Sequence, residues 1–172
     1  WATEVQEALS SEMLRVYTNA DMAGVELANV VAAVVGVALG VARAMKVGPA
    51  AEATALTRAL AEMDRVVGGL GGRPGTAYGL AGLGVLGEMV YEGKGASFRA
   101  GAVLASGDLV SANELVEVRE AARTLSARVK KHRLHAPLVA VVDKMFAGEL
   151  TATDALDGLM NRPVGPEEPG HT

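Results

Sequence analysis

The chain has 172 residues, half of them apolar, 3% aromatic and 21% charged, with no cysteine and a formal net charge of −4. That length suits one packed domain, and the acidic balance leaves no electrostatic footprint for nucleic acid. Without cysteine there is no disulfide, no thiolate nucleophile and no cysteine metal site, which fits a reducing, cytoplasmic setting.

The opening, WATEVQEALSSEM, lacks the basic start and apolar core of a secretory signal, and residues 1–13 read as a lead-in. A chain that begins on Trp1 rather than methionine is expected to be trimmed or truncated. The first predicted helix runs from Asp21, a good N-cap, to about Met45. Its stretch Leu27 to Ala42, LANVVAAVVGVALGVA, carries no charge. Sixteen helical residues rise about 24 Å, short of the roughly 30 Å hydrocarbon core. A central helix enclosed by others is therefore expected, with no membrane partner. Glu26 and Asn29 lie one turn apart on it, and one of them is expected to face inward as a hydrogen-bond hub.

Gly48-Pro49 stops this helix and starts the next, which ends in glycines 68, 69, 71 and 72. A third helix is predicted over 76–91, through the glycine-rich run GLAGLGVL, and a short piece over 98–104. Ser111 and Glu114 have capping-box spacing, predicting a long helix to His132 with Leu115, Val118, Ala122, Leu125 and Val129 on one stripe. Helices near 137–148 and 151–161 follow, and the proline-rich residues 164–172 are expected to be disordered. The sum is an all-α bundle around a buried apolar helix.

Candidate chemistry is sparse. GLAGLG has the spacing G-x-x-G-x-G rather than the dinucleotide fingerprint, and no strand precedes it. GGLGG at 68–72 fails the same test. Glycines between helical segments serve turns and close packing. His132 and His135 sit in VKKHRLHAP, where cations complement a helix C-terminus, with a basic patch for a phosphate or an acidic partner as the alternative; His171 is in the tail. No histidine has carboxylates at ligand spacing, so no metal is expected.

The segment VYTNADMAGVELANVVAAVVGVALGVA resembles the start of the C-terminal domain of NAD(P)-dependent glycerol-3-phosphate dehydrogenases. LTRALAEM at 56–63, YGLAGLG at 78–84 and ATDALDGLMNRP near the end agree in order and spacing. The resemblance covers residues 14–163. It implies an all-helical substrate domain of the 6-phosphogluconate dehydrogenase C-terminal type. The family's Rossmann domain, which carries the nicotinamide, has no counterpart in this chain.

The resemblance also implies which residues are missing. Where the family has Lys-Asn after GVEL and a spacer, this chain has Ala32 and Ala33; that lysine is the family's general acid/base. The aspartate after GLAGLG is Val85 here. The family's Ser-Arg-Asn, which grips phosphate and cofactor, falls on Gly95, Ala96 and Ser97. Glu117 matches a cofactor-contacting glutamate, though Val118 replaces the glycine after it, and Arg99 and Gly101 keep the pattern. Lys94, Ser97 and Arg99 remain as anion candidates, and Glu117 as a vestigial cofactor contact.

The resulting expectation is a degenerate, non-catalytic relative without cofactor. Its old cleft near Ala32, Ala33, Val85 and Met89 would be packed shut, or hold an apolar ligand or a protein partner, a second copy included. The alternative is the substrate-domain half of an oxidoreductase whose Rossmann half lies elsewhere. A new enzyme would need a base, with Glu88, Tyr91 and Glu92 nearest.

Overall fold

The computed structural model describes residues 1–161, except the side chains of Val110, Asn113 and Glu114. The expected disorder of 164–172 falls outside these residues. Nine α-helices are found among the described residues, and no strand.

The lead-in is not featureless. Residues Ala2–Leu9 form α1, an amphipathic helix with no buried residue. Gln6 Nε2 ties it to the Val16 carbonyl at 2.8 Å. Its apolar Val5 and Leu9 stay exposed, as do Met13 and Leu14 after it.

α2 spans Met22–Ala44 and starts where expected, because the Asp21 carboxylate accepts the Gly24 amide. Its run of valines is a mediocre helix former, so packing rather than propensity holds it helical. Val31, Val34, Val35 and Val37 are fully buried. Enclosure is nonetheless incomplete. Met22, Glu26, Asn29 and Val30 are exposed, so neither Glu26 nor Asn29 faces inward, and Asn29 merely bonds the Val25 carbonyl one turn back. The N-terminal half of α2 is thus amphipathic and only the C-terminal half is surrounded.

α2 packs most extensively on α5 (Ala96–Ser106). Glycines make that contact possible. A Cβ on Gly40 would collide with the Phe98 carbonyl, and one on Gly101 with the Val37 carbonyl, so the two backbones touch. α3 (Pro49–Gly69) flanks α2 on another side, starting at Pro49 as the sequence indicates.

The predicted helix over 76–91 is instead three pieces. A 3-10 turn, Thr76–Tyr78, leads to a wide π turn, Leu80–Gly84, and then to α4, Val85–Glu92. The glycines cause the change. Gly82 sits directly on the Ala77 carbonyl, and the Gly84 amide reaches back to Gly79 O, a five-residue span. α5 is longer than the short piece expected.

The long helix predicted from Ser111 also divides, into α6 (Leu109–Glu114) and α7 (Val116–Lys131). Ser111 is not the cap. Asp108 is, accepting the Ser111 amide at 3.1 Å and its hydroxyl at 2.5 Å, which draws Ser111 inside α6. The stripe Val118, Ala122, Leu125 and Val129 is buried as expected, while Leu115 marks the break. α8 (Pro137–Phe146) and α9 (Ala152–Met160) complete the bundle.

Two carboxylates tie the elements together. Asp21 also accepts the Arg73 amide at 2.7 Å and the Thr76 hydroxyl at 2.6 Å, joining the start of α2 to the GGRPGT loop. Those hydrogen bonds, Thr76 foremost and then Arg73, hold its carboxyl below the ordinary value of 3.8. Glu62 of α3 is 1% exposed and accepts the Leu138 and Val139 amides at 2.9 and 2.8 Å. It thereby caps α8, whose own N-cap position, Ala136, offers no side-chain acceptor.

Candidate functional site

The corner that the family pattern singles out lies where α2, α4 and α5 meet. Ala32 is fully buried on α2, and Ala33 beside it is half-buried. One turn on, at Gly36, the Met89 sulfur and the Ser97 Cβ lie against the bare backbone. Val85 stands one turn before Met89 and on the same face of α4. The corner is thus built of methyl groups, a thioether and one buried hydroxyl, that of Ser97.

The polar candidates do not fill it. Lys94, Arg99 and Glu117 are exposed, as are Gly95 and Ala96. Glu88, Tyr91 and Glu92 also face solvent, Tyr91 at 92% exposure. None of these three has the burial or fixed partner that tunes a general base. Lys94 lies between Gly93 and Gly95, both at positive φ. Ser97, one of the anion candidates, is turned inward toward α2 rather than out with Lys94 and Arg99. Among the described residues no three His, Asp or Glu side chains gather at metal-binding spacing.

Arg43 organises the neighbourhood. It pairs with Glu52 at 2.6 Å, donates to the Val90 carbonyl at 3.2 Å, and lies 5.5 Å over the Phe98 ring. One side chain therefore joins α2, α3, α4 and α5 around the loop that carries Lys94. A separate apolar groove of about 90 Å³ opens near the C-terminal half of α2, lined among others by Val41, Met45, Leu138, Val141 and Leu159.

Residues 21–157 match the family described as NAD-dependent glycerol-3-phosphate dehydrogenase C-terminus. The chain belongs to that family. The glycerol-3-phosphate dehydrogenase [NAD(P)+] of Cereibacter sphaeroides is 34% identical over 163 residues, covering 95% of this chain and 53% of that protein. Its counterpart from Synechococcus sp. JA-3-3Ab is 37% identical over 171 residues, with 96% and 55% coverage. The crystal structure of glycerol-3-phosphate dehydrogenase from Coxiella burnetii superposes with a TM-score of 0.84 at 32% identity, over 93% of this chain and 51% of that one. The chain therefore spans about half the length of the relatives it matches.

The all-α substrate-domain fold inferred from VYTN…GVEL and GLAGLG is thus the fold observed. Sequence reasoning missed Glu62 and the threefold role of Asp21. Glu62 had a signal, a lone carboxylate on the α3 stripe of Ala59, Met63 and Val66. The arginine clamp of Arg43 had none, because its partners stand nine and 47 residues away.

Proposed function

We propose that this chain is a non-catalytic helical module of the glycerol-3-phosphate dehydrogenase family, acting by binding or as a structural unit rather than by hydride transfer. The observation that carries the reading is the α2–α4–α5 corner. Proton transfer at a glycerol oxygen needs a titratable group within hydrogen-bond reach, and the methyl of Ala32 offers none. Val85 supplies no carboxylate to orient a substrate, and Ala96 no charge for a phosphate dianion. Lysine, asparagine, aspartate and arginine of the family pattern are lost together. The Met89 thioether laid on Gly36 supports a cleft packed shut. A protein partner, a second copy of the chain included, is the occupant this reading gives the outer surface, in a cytoplasmic setting without membrane or nucleic acid.

One observation favours a second reading, the substrate-domain half of an NAD(P)-dependent oxidoreductase. The chain covers only half of its relatives, and the lead-in leaves Trp1 and Met13 at 91% and 96% exposure. In that arrangement a Rossmann half would cover the lead-in, and Glu117 would meet the cofactor. Ala32 still argues against glycerol 3-phosphate as its substrate.

Calorimetric titration with NADH, NADPH and glycerol 3-phosphate, singly and in pairs, separates the readings. No heat of binding is expected of the module. Saturable nicotinamide binding that Glu117→Ala weakens would replace it with the oxidoreductase half. Glycerol 3-phosphate binding weakened by Lys94→Ala and Arg99→Ala would show the anion site still in use.

A further inference from the structure

The opposite end of α7 carries a feature the cleft does not explain. Residues 128–135, RVKKHRLH, hold Arg128, Lys130, Lys131 and Arg133, two histidines and no acidic residue, in a chain of net charge −4. Buried Val129 and half-buried Leu134, packed on Gly69, anchor the segment and leave Arg128, Lys130, Lys131, His132 and Arg133 exposed. Arg65 of α3 joins them, its Nε donating to the His135 carbonyl at 3.2 Å.

Little neutralises this cluster. Asp143 of α8 approaches Lys130 at 3.9 Å. On α3, Glu62 is turned inward to the α8 amides and Asp64 accepts from Gly75. Among the described residues, Arg65, Arg128, Lys131 and Arg133 enter no ion pair.

A helix dipole accounts for cations in the last turn of α7, but not for Arg65 on another helix or for Arg133 past the end. Arg133 moreover holds a φ of 56°, a left-handed conformation that favours glycine over any residue with a Cβ.

We propose that this end of the molecule docks an acidic segment of a protein partner. The patch has no Phe, Tyr or Trp on which bases would stack, and no large exposed apolar residue to enter a membrane. Largely unneutralised guanidinium and ammonium groups on a firm scaffold match flexible carboxylates, through contacts that set on-rate and salt dependence. The proposal is independent of what the α2–α4–α5 corner does.

The test is fluorescence anisotropy of a labelled ten-glutamate peptide titrated with the chain at about 50 mM salt, where screening is weak. Saturable binding that fades at high salt is expected. Replacing both Arg128 and Lys131 by glutamate should weaken it roughly tenfold, at the usual worth of surface charge contacts. Arg133→Gly should weaken it about twofold while leaving Tm unchanged or higher, since the strain is relieved. Absence of saturable binding, equal binding by both variants, or tighter binding of a thymidine 20-mer or of phosphatidylserine vesicles would overturn the proposal.

Discussion

At the scale of single residues, the two carboxylates that organise the bundle make opposite kinds of demand. Glu62 has no solvent to fall back on. Glu62→Ala should leave two α8 amides uncapped and cost about 3 kcal/mol, lowering Tm by roughly 6–12 °C for a chain of this size. Glu62→Gln, which keeps one acceptor, should cost about half as much in the same thermal melt. Asp21 speaks through pH. Its folded-state pKa lies below 3.8 because Thr76 and Arg73 bond the ionised form. Stability from such a group is complete above the unfolded pKa and disappears as pH falls through the folded one. The stability gap between the natural chain and Asp21→Asn should therefore be flat above about pH 5 and narrow below about pH 4. A gap that widened on acidification would contradict the assignment.

At the scale of elements, close packing decides what a glycine is worth. Gly40→Ala drives a methyl into the Phe98 carbonyl and should destabilise by about 2–3 kcal/mol in a denaturant titration. Gly87→Ala, in α4 with nothing within 4 Å of the new Cβ, should stabilise by about 0.5–1 kcal/mol. The same contrast explains what the sequence made legible. The start of α2, the start of α3 and the buried stripe of α7 were readable because the Asp21 cap, Pro49 and the spacing of Val118, Ala122, Leu125 and Val129 act locally. The division of 76–91 was not, because the π turn depends on Gly82 meeting the Ala77 carbonyl. The start of α6 was misread because Asp108, not Ser111, takes the cap, and nothing in the structure explains the break at Leu115. Local signals also placed Glu26 and Asn29 wrongly, since only tertiary packing says which side of an apolar helix is covered.

At the scale of the whole molecule, the family is written in the packing motifs. GVEL, LTRALAEM and GLAGLG survive, Glu62 of LTRALAEM as the cap of α8 and GLAGLG as a wide glycine turn. The resemblance alone pointed to Ala32, Ala33 and Val85. Met89 was expected beside them in the old cleft; that its sulfur lies against the backbone of Gly36 was not, since the glycine gives no sign of which side chain covers it. The proposed non-catalytic role rests on the α2–α4–α5 corner, where Ala32, Val85 and Met89 bring no titratable side chain. The measurement that tests it most directly is a coupled assay of this chain fused behind the N-terminal half of the Cereibacter sphaeroides enzyme. Glycerol 3-phosphate-dependent reduction of NAD should stay at the level of that N-terminal half alone. Turnover within about a hundredfold of the intact enzyme, the span one acid–base group supplies at least, would contradict the account.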